Sequence, residues 1–252
     1  MFANKPIPNQ SSGPSCVPGQ HLFDGLIAGW EFNENYTNEP AGTYVANNII
    51  GTNPLVGVTA TDTYSHIPGI SGNAVEITGD QPGNLLREVT SSTFLNFDGS
   101  TDFSYNIWAR VRNDRGGLGG RVNTSGSVTQ LNHAIRVTPS QVQLLVSSTG
   151  SNLVGTSVGR QLNVWANYHF DYRASDQRIR AILNSNIAAA NSGTASAPTM
   201  HISTQAYQIG RYRVDKTNAD VDNYYVYGRL LDDCEIALLY NNGAGQGYVP
   251  PS

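Results

Sequence analysis

Along most of the chain, apolar and polar residues alternate with a period of two, the spacing of a strand that buries one face. The clearest run is Phe103 to Arg112. Phe103, Tyr105, Ile107, Ala109 and Val111 fall on one side, and Ser104, Asn106, Trp108, Arg110 and Arg112 on the other. The first set predicts a core between two sheets. Near the end of the chain, Val221, Asn223, Tyr225 and Tyr227 alternate with Asp222, Tyr224 and Val226, and aromatic and β-branched residues suit such a strand. The period then changes. Asp232 stands three residues before Glu235, the spacing of a capping box. Ile236, Leu239 and Tyr240 form a stripe at i, i+3 and i+4, and Gly243 after Asn241-Asn242 predicts a left-handed stop.

The remaining segments are mostly short strands. Leu26–Phe32 leads into a turn over 33–40, and Tyr44–Ile50 and Leu55–Val58 are split by Gly51 and Asn53-Pro54. Ala74–Thr78, Leu85–Val89 and Phe94–Phe97 follow. Gly116 to Gly120 reads as a flexible hairpin connection, because four of its five residues are glycine. His133–Val137 and Gln141–Val146 are strands, as are Trp165–Tyr172 and Arg178–Leu183, the last two joined across Ala174–Gln177. Asn186–Pro198 reads as a loop, and Tyr207–Tyr212 and the final strand close the sheets. Residues 1–20 contain Pro6, Pro8, Pro14 and Pro18 and predict an irregular arm that docks on a neighbour. The domain organisation is therefore an arm over 1–20 and one β domain over 21–252.

Composition narrows the partners. Only 13% of residues are charged, net charge is −4, and Lys is scarce. A nucleic-acid partner would need a basic stripe and is not expected. Neither is a membrane-spanning helix, for which about 18 consecutive apolar residues are needed. Met1–Gln20 has no apolar signal core. The two cysteines, Cys16 and Cys234, permit one bridge without requiring it.

The stretch from Asp222 to Gly243 resembles the closing strand and helix of laminin-G-like, concanavalin A-like jelly-roll domains. It has their acidic residue, then Tyr227-x-Arg229-x-Leu231, then Glu235-Ile236-x-x-Leu239-Tyr240-x-x-Gly243. Leu26–Phe32 resembles the first strand of that family and Gly72–Ile77 its Gly-x-Ala strand. Phe103–Val111 and Trp165–Tyr172 resemble its central pair. The resemblance covers residues 25 to 245 and implies an all-β, antiparallel two-sheet jelly-roll sandwich with one short C-terminal helix. It also implies a calcium at a sheet rim, for which Asp222 matches the acidic position before the last strand and Asp98 or Asp102 is expected near a strand start. Such domains recur in phage structural proteins.

Enzymatic chemistry finds little footing. Glycoside hydrolases of this fold carry Glu-x-Asp-x-Glu on one strand, which sets two carboxylates at the separation that retention requires. Glu31 and Asn33 come nearest, and Asn33 is not an acid. There is no Gly-x-Ser-x-Gly elbow, and the five histidines lack metal-ligand spacing. The run Gly116 to Arg121 lacks the Lys and helix of a phosphate cradle. A glycan surface is better supplied: Asn106, Trp108 and Arg110 share one strand face, and Trp165, Asn167, His169 and Asp171 another, on strands expected to be neighbours. Asn106, Trp108, Arg110, Trp165 and His169 are the candidate ligand residues.

Three readings follow, and the first two are non-enzymatic. The first is a virion structural protein, a bacteriophage capsid decoration, head-fibre or tail-associated module whose partners are capsid or tail proteins or further copies of itself. The alternative is an extracellular or cell-surface carbohydrate-binding or adhesin module. A glycan-active enzyme is the third.

Overall fold

The alternation read from the sequence is realised as two antiparallel sheets facing each other across one core, with a short helix outside. The computed structural model describes residues 22–58, 63–78, 85–89, 93–122, 130–195 and 199–249. The arm with Pro6, Pro8, Pro14 and Pro18 lies outside them. In chain order the first strands are β1 (Leu26–Trp30), β2 (Glu39–Pro40), β3 (Val45–Ala46), β4 (Leu55–Gly57), β5 (Thr63–Tyr64), β6 (His66–Pro68), β7 (Asn73–Ile77) and β8 (Leu86–Glu88). Then come β9 (Phe103–Val111), β10 (Gly116–Arg121), β11 (His133–Val137), β12 (Gln141–Ser147), β13 (Leu153–Gly159), β14 (Ala166–Arg173) and β15 (Arg178–Leu183). The last are β16 (Asn191–Thr194), β17 (Tyr207–Ile209), β18 (Arg211–Tyr212), β19 (Asp215–Lys216) and β20 (Ala219–Tyr227), followed by helix α1 (Asp233–Tyr240).

One sheet runs β16-β15-β14-β9-β20-β7-β6, with β1 also paired to β20; the other runs β13-β12-β11-β10-β17-β8-β4-β3. The core takes Phe103, Tyr105, Ile107, Ala109 and Val111 from β9, and Tyr168, Phe170 and Tyr172 from β14. Ile135, Val137, Val142, Leu144 and Val146 face them from the opposite sheet. Phe103 stacks between Phe97 (centroids 4.1 Å apart) and Tyr172 (5.3 Å), separations at which aromatic pairs attract beyond their buried area.

Two charged or titratable side chains enter this core with partners. Arg121 is fully buried; its Nη2 donates to Glu88 at 2.8 and 3.0 Å and its Nε to the Phe94 carbonyl at 2.8 Å, with a further bond to the Gln205 carbonyl. His133 lies against Tyr105 Oη at 2.6 Å. Burial, with the Arg121 charge adding, pushes its imidazole down to about 3, so it stays neutral.

Three expectations are corrected, and one strand appears that alternation does not announce. Gly116–Gly120 is not a hairpin connection but most of β10, buried throughout. The glycines are crowded by neighbours: a Cβ on Gly119 would collide with the Tyr224 and Tyr207 hydroxyls, and one on Gly117 with the Arg211 carbonyl. Val221 does not share a face with Tyr225 and Tyr227. A bulge between Asp222 and Tyr225, with Asn223 at φ 42°, adds one residue, so Val221, Tyr224 and Val226 point into the core while Tyr225 and Tyr227 point out. The segment read as a loop from 186 holds a 3-10 turn (Ile187–Ala189) and the edge strand β16. Leu153–Gly159, which has no clean alternation, pairs with β12 over its full length.

The helix forms as its capping signal predicts. Asp232 accepts from the Glu235 amide at 2.8 Å, and Glu235 accepts from the Asp232 amide at 2.9 Å. The left-handed stop comes earlier than Gly243, at Asn241 and Asn242 (φ 46° and 53°), asparagine being the side-chain-bearing residue most at ease there. Cys234, in the first turn of α1, is disulfide-bonded; Cys16, the other cysteine of the chain, lies outside the described residues.

Candidate functional site

The outward face of the β15-β14-β9-β20 sheet holds every residue expected to bind a ligand. Cross-strand register arranges it in rows. Arg178 faces Arg173; Arg180 faces Asp171, then Ser104, then Tyr227; Ile182 faces His169, then Asn106, then Tyr225; Asn167 faces Trp108, then Asp222. The expected pairing of the strands carrying Trp108 and His169 is thus present.

Most of this face is covered. Ile236 and Leu239 of α1 pack on Ile182, Tyr225 and Tyr227, and Tyr240 stacks on Trp108 with centroids 5.6 Å apart. The chain after α1 passes so close that a Cβ on Gly245 would overlap Ile70 and come within 3.3 Å of Trp108 Nε1. Asn106, Trp108 and His169 are therefore buried and form no open platform, which corrects that expectation. Asn106 and Asn167 exchange amide hydrogen bonds at 3.2 and 2.9 Å, the way buried amides are satisfied in a dry interface. Arg110 and Trp165 stay partly exposed at one end of the face. The Arg110 guanidinium lies 5.5 Å from the Trp165 ring and donates to Asp220 at 2.6 Å, so its cation is already engaged.

At the other end the face is open. A groove of about 230 Å³ is lined by Asp171, Arg173, Arg178, Arg180, Leu230 and Leu231. Arg180 fills its wall: its Nε donates to Asp171 at 2.7 Å, Nη1 to Asp233 at 2.9 Å and Nη2 to the Leu231 carbonyl at 3.3 Å. Behind it, His169 Nε2 lies 3.2 Å from Asp171. Burial alone would raise the Asp171 carboxyl; contacts with His169 and Arg180 outweigh it and hold the group below its ordinary range. Arg173 spends its Nε on Asp176 at 3.0 Å. Arg178 makes one side-chain bond, to Ser192 Oγ at 3.3 Å, and has no carboxylate partner among the described residues.

Alternation puts Asp171 on this face, but it gives no prominence to Arg173, Arg178, Arg180, Leu230 or Leu231. A signal was available. Asp171-x-Arg173 and Arg178-x-Arg180 flank a four-residue turn, so hairpin register brings three guanidiniums to one face.

Asp222, the expected calcium ligand, is fully buried at the bulge. Its Oδ2 accepts from the Ile70 and Ser71 amides at 2.7 and 3.0 Å, and its Oδ1 from the Asn223 amide at 2.7 Å. Burial, with Glu31 adding and those amides opposing, pushes the carboxyl up to about 7. This carboxylate clamps the 69–72 turn onto β20. Asp98 accepts from Ser100, and Asp102 from the Ala174 amide, so both tie down turns. Among the described residues, no group of three or more His, Cys, Asp or Glu side chains is arranged to hold a metal.

No family model matches the sequence, and no curated protein sequence does. Solved structures share the fold. The binding domain of Paraclostridial Mosquitocidal Protein 1 superposes with TM-score 0.65 at 12% identity, covering 88% of this chain and 53% of that one. The binding domain of botulinum neurotoxin DC in complex with SialylT gives 0.65 at 11%, covering 88% and 52%. A botulinum neurotoxin type C structure, described with cell entry dependent on two ganglioside molecules, gives 0.66 at 10%, again covering 88% and 52%. The chain thus spans about half the length of these binding domains, and at such identities the likeness is one of fold.

Proposed function

We propose that this chain is a non-enzymatic binding module that recognises a glycan on a cell surface, acting from outside that cell. The observation that carries the reading is the open groove beside α1. On a sheet face mostly covered by the helix, the groove leaves a concave, polar opening with guanidinium donors and two leucines, the mixture by which proteins orient sugars. The neighbours support it: they are binding domains of toxins, two of them described with glycan ligands or ganglioside-dependent entry. Their kinship favours a glycan-binding or adhesin role over the capsid, head-fibre or tail role, since the neighbours reported above are not virion proteins. Nothing in the groove pairs two carboxylates across a sugar-sized gap as glycoside hydrolysis needs; Asp171 is tied to Arg180 and His169.

The test is a glycan array probed with the full chain, including neutral and acidic oligosaccharides. Saturable binding to a defined glycan class is the expected result. Signals at background across the array would contradict the proposal.

A further inference from the structure

We infer that the groove between β14, β15 and the β20–α1 connection is a subsite for an anionic sugar group, a carboxylate or a sulfate ester carried at the end of a glycan. The inference rests on the glycan-binding reading and specifies what the site selects. Three features of the groove point to an anion. First, Arg173 and Arg178 are directly cross-strand partners, and like charges so placed repel unless something negative lies between or beside them. Asp176 answers Arg173 through Nε and reaches Arg178 only by accepting from its backbone amide. Among the described residues the Arg178 cation is left without a carboxylate.

Second, the donors are unevenly spent. Every edge of the Arg180 guanidinium is committed to Asp171, Asp233 or Leu231, so Arg180 is wall. Both Nη groups of Arg173, and Nε and Nη1 of Arg178, have no hydrogen-bond partner among the described residues. A planar guanidinium with free edges matches the paired oxygens of a carboxylate or sulfate. Asp171, the carboxylate that also lines the groove, is buried with its charge held by Arg180, so an incoming anion meets the arginines rather than a bare acid.

Third, size and polarity fit one terminal unit. A volume of about 230 Å³ falls below the roughly 300–1,000 Å³ of clefts that enclose drug-sized ligands. It suits a single acidic monosaccharide, with Leu230 and Leu231 against its apolar side and the rest of the glycan in solvent.

The experiment uses the full chain and titrates three ligands built on one neutral disaccharide: the core itself, the core capped with sialic acid, and the core bearing a sulfate ester. Calorimetry is run on the wild type and on the double variant R173Q/R178Q, with melting temperatures recorded for both. The expected result is at least about tenfold tighter binding of an acidic ligand than of the core, as charge-assisted bonds permit. In the double variant that preference should fall to about twofold or less with the melting temperature unchanged. Preference for sialic acid alone, or equally for the sulfate ester, distinguishes a carboxylate reader from a general anion reader, and either supports the subsite. Equal affinity for core and acidic ligands overturns the subsite and leaves the glycan reading standing. A double variant that keeps the full preference places the anion elsewhere and overturns it too. If none of the three binds, the subsite falls; a blank array as well brings down the glycan reading.

Discussion

Arg121 and Arg178 present the same guanidinium in opposite accounts. Arg121 sits in the core, fully enclosed, with its donors divided among Glu88 and the Phe94 and Gln205 carbonyls. Arg178 stands at the open end of the outer face with one bond to a serine hydroxyl. Between them lies Arg180, half-buried and wholly committed. A buried cation survives only when its partners replace the water it lost, so Arg121 reports on the integrity of the fold. An exposed cation beside a second one needs no such completion, and its free edges are available to a ligand. Counting spent donors therefore separates the structural arginine from the binding ones, where residue type alone does not.

The largest effect should come from breaking the enclosed pair. Glu88→Ala strands Arg121 in the core and should cost about 3–5 kcal/mol. For a chain of this size that lowers Tm by roughly 6–20 °C, read by calorimetry. A loss under about 1 kcal/mol would mean that water reaches Arg121 and that the contrast with Arg178 is not one of burial.

Asp171→Asn tests the wall between the two extremes. It should cost about 1–3 kcal/mol, the range for a buried hydrogen-bonded group left short of a partner. Because the folded Asp171 carboxyl lies below its ordinary value, its contribution is present above the unfolded pKa of about 3.9 and is lost as pH falls through the folded value. The variant should therefore converge on the wild type in acid, in melts run from pH 7 down to pH 2. A stability gap that persists unchanged to pH 2 would assign the effect to packing rather than charge.

The smallest change in stability belongs to R173Q/R178Q, within about 0.5 kcal/mol of the wild type, together with the loss of acidic-glycan preference described above. Urea unfolding with an unchanged midpoint beside altered binding would sharpen the comparison. A destabilisation as large as that of Glu88→Ala would erase it.

Much of the architecture was legible from residue spacing. The alternation over β9, the strand pair meeting across Ala174–Gln177 and the capping box of Asp232 and Glu235 are local signals, each expressed within one element. What the sequence hid depends on distant parts of the chain. Gly116–Gly120 looks like a connector because its strand identity comes from Tyr207 and Tyr224 lying over it. The bulge at Asn223 shifts the facing of every later residue in β20, and only the tolerance of asparagine for positive φ hints at it. The stripe of α1 showed that the helix would cover something without showing that it would cover Trp108 and Asn106. The candidate site moved for that reason: alternation assigns a residue to a face, and tertiary packing decides which part of that face meets solvent.

The most direct measurement follows the Trp108 indole and the Arg173 and Arg178 Nε resonances by NMR while an acidic oligosaccharide is titrated into the intact chain. Saturable shifts are expected at both arginines and none at Trp108, which lies beneath Tyr240. Shifts at Trp108 with silent arginines would place recognition under the helix and contradict the assignment of the groove as the binding site.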